Sequence, residues 1–145
     1  MVTPNSIHIE NNLLFEQVLS YLQQGKGVFI PIKGGSMRPF LREGDKVLLK
    51  SIDPNALSRG MIVLAKMDGR WLLHRVVRMD QKIVSLAGDA NVAIHEMVAY
   101  SDIMAVATTL KRAGKEYNLN DKWRLCLGMV WYWMRPIRRV IRKLT

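Results

Sequence analysis

Residues 28–50 read VFIPIKGGSMRPFLREGDKVLLK, and the way this stretch folds decides how the rest is arranged. Two runs of β-branched and aliphatic residues, Val28 to Ile32 and Lys46 to Leu49, flank a centre rich in turn formers, Gly34, Gly35, Pro39 and Gly44. The pattern is strand, tight loop, strand. The loop presents one serine, Ser36, directly after two glycines, which open backbone conformations closed to other residues and let a second chain come close. A nucleophile needs that access. Pro39 stiffens the exit of the loop, and Gly44 with Asp45 turns the chain back into an apolar strand.

Outward from this stretch, short apolar runs alternate with turns. Upstream, Asn11 to Gln24 places Leu14, Val18 and Leu22 four residues apart, with Leu13, Phe15 and Leu19 widening the stripe and Gly25 and Gly27 at its end. This predicts a helix that packs on the sheet. Downstream, a polar connection from Ser51 to Arg59 leads to Met61 to Lys66 and Arg70 to Met79, joined through Asp68-Gly69, the strongest hairpin signal in the chain. Asp80-Gln81-Lys82 turns into Ile83 to Leu86, Gly88 to Asn91 is a loop, and Ile103 to Leu110 is a last strand. Short strands with close turns predict a mainly β protein, an antiparallel sheet coiled or closed into a barrel, with a helix at each end.

At 145 residues, 49% apolar and 23% charged, the chain is one globular domain by length and is not disordered. Its net charge of +10 is unevenly spread: residues 1–110 carry 12 Lys and Arg against 10 Asp and Glu, and residues 111–145 carry 10 against 2. The basic character belongs to the tail. A single cysteine, Cys126, excludes an intrachain disulfide framework and a cysteine zinc cluster. Met1 to Glu10 is largely polar and lacks the basic start and apolar core of a cleavable signal. No run reaches the roughly 18 to 20 apolar residues that span a bilayer.

Two further segments carry chemistry. In WLLHRVVRM, residues 71–79, strand alternation puts Leu72, His74 and Val76 on one face and Arg75 on the other. A histidine among aliphatic neighbours reads first as a structural one. Leu86-Ala87-Gly88-Asp89-Ala90-Asn91 ends a strand in a loop that presents a carboxylate.

These segments together carry a resemblance. GGSMRPFLREGD resembles the serine box of the signal peptidase and LexA-like clan of serine endopeptidases, in which a small residue or glycine precedes Ser-Met, a proline follows two residues on, and Gly-Asp comes a short step later. Ser36, Met37, Pro39, Gly44 and Asp45 stand in that register. His74-Arg75-Val76 is similar to the box that holds the general base, lysine in most bacterial members and histidine in the branch resembling endoplasmic-reticulum and archaeal signal peptidases. Residues 86–91 resemble the Gly-Asp-Asn-Asn box, with alanine in place of its first asparagine.

The resemblance covers Val28 to Leu110 and implies the clan's coiled β fold. It also implies a Ser-His endopeptidase that needs no metal or cofactor and binds a precursor polypeptide as an extended strand. Ser36 is then the nucleophile and His74 the base that takes its proton. Lysine, with a pKa near 10.4, must be strongly desolvated to serve, whereas histidine at about 6.5 is already poised. His8, in the polar N-terminus, and His95, after the later loop, fit less well.

The third member stays open. Asp89 matches the aspartate of its box, either as the triad acid or as a brace for the loop, and Glu96 and Asp102 compete with it. In the histidine branch the acid comes a few residues after the box, where this chain has Ile94, His95 and Glu96. Many relatives carry a hydroxyl two residues before the nucleophile. Here that residue is Gly34, which leaves the oxyanion to backbone N–H groups, that of Ser36 first.

Beyond Leu110, Tyr117 to Thr145 reads as a helix. A dense apolar stretch, Leu125 to Met134, holds Trp131, Tyr132 and Trp133 and precedes Arg135, Arg138, Arg139, Arg142 and Lys143. Such a helix either lies on an anionic bilayer surface or packs Trp131 on the domain and shows its arginines to solvent. No nucleic-acid-binding motif accompanies the charge, so no nucleic acid is expected as a partner.

The expected organisation is an N-terminal helix over residues 1–27, a catalytic β domain over 28–110 and a basic, Trp-rich helix over 111–145. The expected activity is removal of a signal or leader peptide by an enzyme in the cytoplasm or on the inner membrane surface. The alternatives are a catalytically inactive membrane-surface binding module of the same fold and a LexA-like self-cleaving regulator. For the DNA-binding helices of the latter, the 27 residues before Val28 leave no room.

Overall fold

A computed structural model describes residues 12–144. Helix α1 (Asn12–Gln23) is followed by eight strands, β1 (Val28–Pro31), β2 (Lys46–Lys50), β3 (Ile62–Met67), β4 (Arg70–Met79), β5 (Ile83–Ala87), β6 (Glu96–Ala99), β7 (Ile103–Arg112) and β8 (Lys115–Asn118), and then by helices α2 (Lys122–Trp133) and α3 (Arg135–Leu144). The strands form one sheet in the order β1-β2-β7-β3-β4-β5-β6, with β8 also paired to β7. Every pairing is antiparallel. The expected mainly β, antiparallel fold with helices at both ends is therefore present. Strand β7 lies between β2 and β3 and so joins the serine hairpin to the β3–β6 meander. Register shifts at Leu48/Leu49, Leu64/Ala65 and Val76/Arg78 bend the ladders and increase their twist, which coils the sheet.

The turns follow their residues. Asp68 and Gly69 both take positive φ, 52° and 75°, as the tight turn between β3 and β4 requires. Ala113 and Gly114 do the same at 52° and 78°, and the resulting hairpin adds β8, where a helix was expected from Tyr117. Alanine is disfavoured in the left-handed region, so Ala-Gly carries no hairpin signature. Strand β6 was also not expected. Its buried positions are Glu96 and Val98, with Met97 outside, an alternation that a glutamate facing inward conceals.

Both faces of the sheet are covered. On one, Phe15, Val18 and Leu22 of α1 pack with Ile30, Leu49, Leu64 and Trp71, and Phe15 stacks on Trp71 with ring centroids 5.1 Å apart. Each such side chain contributes about 1.5–3 kcal/mol by leaving water. The inward stripe of α1 is thus Phe15-Val18-Leu22; Leu13 and Leu14 are exposed. Asn11, the expected start of this helix, and His8 lie outside the described residues. On the other face Val63, Val76, Val84, Leu86, Val98 and Val106 form a second cluster.

The tail is two helices, not one. One helix ends at Trp133 and the next begins at Arg135, which places Pro136 in a first turn, where its missing N–H costs no helical hydrogen bond.

Candidate active site

The loop that carries Ser36 is built as a braced neck with an open tip. Its ends close through Ile32 N–H donating to Asp45 O at 2.8 Å. Met37 and Leu41 anchor it in the core, Gly34 turns it at φ 77°, and the Arg38–Pro39 peptide is cis. The Asp45 carboxylate accepts from Arg42 N–H (2.8 Å) and, in a bidentate pair, from Arg112 Nε (2.8 Å) and Nη2 (2.6 Å) of β7. The Arg112 Nη2 group also donates to Phe40 O at 3.1 Å. The Gly44-Asp45 step of the motif thus pins the loop to the sheet. Ser36 itself, at the tip, is half-buried.

The Arg112 guanidinium beside Asp45 holds its carboxyl below the usual 3.8, with the Arg42 N–H bond acting in the same direction. A carboxyl whose folded pKa is lowered contributes stability that is complete above its unfolded pKa and is lost as pH falls through the lower, folded value. Asp45→Asn is therefore expected to cost about 1–3 kcal/mol at neutral pH, and the difference should shrink as pH drops below 3.8. Urea unfolding across acid pH checks it; a wild-type and variant difference that stays constant down to acid unfolding would refute the assignment.

Facing the loop, His74 of β4 is only 2% exposed. Glu96 of β6 brings Oε1 against His74 Nδ1, in ion-pair contact rather than in an aligned hydrogen bond. Among the described residues, the other ring nitrogen, Nε2, has no hydrogen-bond partner. Gly88 shows what that nitrogen faces. A Cβ placed on Gly88 would lie 2.8 Å from Ser36 O and 3.2 Å from His74 Nε2, so the serine backbone and the imidazole converge on one spot that only glycine leaves free. The next-but-one residue fastens the two loops together, Ala90 N–H donating to Ser36 O at 3.0 Å.

Asp89 is placed differently. Its Oδ1 accepts from Arg75 Nε at 2.7 Å and its Oδ2 from Arg75 Nη2 at 2.6 Å, while Arg75 Nη1 donates to Gly60 O at 2.7 Å. The carboxylate against the imidazole is that of Glu96, while both oxygens of Asp89 are taken up by Arg75. Burial pushes the Asp89 carboxyl above its usual range, and the Arg75 bonds oppose that rise. With both oxygens accepting from one guanidinium, the pair stands as carboxylate and cation. Asp102, the other competitor, accepts from Ala99 N–H at 3.0 Å and caps a local turn.

Arg75 points away from His74, as strand alternation requires, but not into water. It lies between the Phe40 ring, 5.1 Å from its guanidinium carbon, and Gly128 of α2, where a Cβ would come within 2.3 Å of Nη1. Gly60, at φ 95°, likewise admits the backbone of Leu125. Two glycines thus let α2 sit directly against the strand that carries His74.

The end of α2 and the start of α3 grip the Asp89 loop from outside. Trp131 Nε1 donates to Asp89 O (2.8 Å) and its ring meets Phe40 edge-on. Arg138 Nη1 also donates to Asp89 O (3.1 Å), Arg135 to Asn91 O (3.1 Å) and Ile94 O (3.0 Å), and Arg139 to Val92 O (2.6 Å). His95 Nε2 contacts Tyr132 Oη at 2.6 Å and Arg135 Nη1 at 3.0 Å; burial, with the Arg135 charge, pushes this imidazole below its usual 6.5. Arg75, Arg135 and Arg138 were not singled out from sequence as site residues. An arginine inside an apolar strand, and arginines one turn apart beside a tryptophan, were the available signals.

Among the described residues, no group of three or more His, Cys, Asp or Glu side chains is placed to hold a metal ion, and no helix is long and apolar enough to cross a membrane. A comparison with curated proteins finds no match. The family model described as Peptidase S24-like matches residues 5–114, a span that includes the Ser36 loop, His74, the Gly88 loop and Glu96 and stops short of α2. With most of its length matched, the chain belongs to the Peptidase S24-like family, within the LexA-like clan of serine peptidases.

Proposed function

We propose that this protein is a serine endopeptidase that removes a signal or leader peptide from a precursor polypeptide, with Ser36 as nucleophile, His74 as base and Glu96 as the acid behind it. The observation that carries the reading is the buried Nε2 of His74, unpartnered among the described residues and turned to the same spot as the Ser36 backbone, with Nδ1 against a carboxylate. In the first step Ser36 Oγ attacks the scissile carbonyl carbon while His74 Nε2 takes its proton. The imidazolium so formed is stabilised by Glu96 and gives its proton to the leaving amine, which departs as the acyl-enzyme forms. Water, deprotonated by the same nitrogen, then releases the acyl group. The N–H of Ser36 is the first donor for the developing oxyanion. The precursor lies extended beside the loop, where main-chain hydrogen bonds supply affinity and small pockets supply selection.

The test is reaction of the purified protein with a serine-directed acylating probe, read by intact mass. A single adduct on the wild type that Ser36→Ala and His74→Ala both fail to form is expected. Absence of any adduct on a folded wild type would overturn the reading in favour of a non-catalytic binding module of the same fold.

A further inference from the structure

Helix α3 is docked in the opposite sense to a helix that completes a core. Three of its four arginines reach toward the protein, where Arg135, Arg138 and Arg139 donate to carbonyl oxygens of the Asp89 loop. Its aliphatic residues turn to solvent: Ile137 and Val140 are each 57% exposed and Leu144 is 82% exposed. Spaced three and four residues apart, they form one stripe. At and just after the end of α2, Val130, Trp133 and Met134 are exposed too, at the same spacing in sequence.

An apolar stripe on a basic surface asks for a cover, and charge decides which. A carbonyl oxygen satisfies an N–H without neutralising it, so the guanidinium charges of α3 persist beside the stripe. Lys143 adds to them, and the sequence of α3 contains no acidic residue. A second copy docked across a two-fold axis would set the same basic residues face to face, which repels. An anionic bilayer surface satisfies both features, taking aliphatic and tryptophan side chains into the headgroup boundary while the positive potential of the helix, with Lys143 exposed near its end, favours charged headgroups.

We propose that the outward face of α3, with the end of α2, docks this protein on an anionic lipid surface. The arginine side of the same helix holds the Asp89 loop, so docking places that loop directly behind the lipid-facing helix.

Flotation of the full chain with vesicles of phosphatidylcholine, alone or mixed with phosphatidylglycerol, tests this against I137D/V140D. Both positions are exposed, so the fold should persist, and circular dichroism checks it. The wild type is expected to float with the anionic vesicles and weakly with the neutral ones, to lose binding as salt is raised, and to bind about tenfold more tightly than I137D/V140D. No binding to anionic vesicles, or equal binding by the double variant, overturns the proposal. So does a concentration-dependent dimer, seen by sedimentation and lost in I137D/V140D, which would assign the face to a second copy. Ser36→Ala should bind as the wild type does, so this outcome is independent of the peptidase reading.

Discussion

Glu96→Gln is expected to slow reaction at Ser36 about 10⁴-fold while leaving the fold in place. The substitution keeps the size of the side chain behind His74 Nδ1 and removes its charge. On the peptidase reading, the neutral amide no longer stabilises the imidazolium that forms when Ser36 gives up its proton, and it no longer dictates which ring nitrogen carries the hydrogen. Burial of His74 sharpens the effect, since an imidazolium shielded from water depends on its partner. The rate of probe labelling at Ser36, with urea unfolding beside it, separates this role from a packing role. A fall of less than about tenfold with stability unchanged would remove Glu96 from the mechanism.

Asp89→Asn is expected to act on stability instead, by about 3–5 kcal/mol. Arg75 is 4% exposed, and its guanidinium is closed in by Phe40 and by the backbone of α2. Removing the Asp89 charge strands that cation in a site from which water is excluded. Replacing both partners with apolar residues, R75M/D89L, should recover part of the loss, because a buried ion pair contributes little over a well-packed apolar pair of similar volume. Urea unfolding of R75M, D89L and R75M/D89L measures the coupling. If Asp89→Asn instead matched Glu96→Gln in rate and left stability unchanged, the roles given to the two carboxylates would have to be exchanged.

What was legible in the sequence follows from how local each signal is. The serine loop, the Asp68-Gly69 turn and the alternation around His74 are set by neighbours in the chain, and the structure places them where that alternation predicts. Glu96 was open among three acids because its meeting with His74 depends on β6, a four-residue strand visible only once it pairs with β5. Strand alternation turns Arg75 away from His74, but nothing local says that α2 will come to lie over it. The tail was legible in composition and not in orientation. Where apolar and basic residues alternate within two turns, the pattern defines two faces without saying which is turned inward, and the carbonyl oxygens that draw the arginines in belong to a loop more than forty residues away.

The position of β7 has a consequence for when the site exists at all. The hairpin bearing Ser36 and the strand bearing His74 are not neighbours in the sheet; they are joined through β7, whose Thr108 hydroxyl reaches Leu48 O across 60 residues of chain. Pairings of such separation close late, since their loop entropy must be met before their contacts form. A folding chain can complete the β3–β6 meander, with His74 and Glu96 in place, while its serine hairpin is still undocked. On the peptidase reading, the enzyme is therefore latent by topology. Its nucleophile and base meet only when the last long strand is seated, and a partly folded molecule among other unfolded chains has nothing with which to cut them.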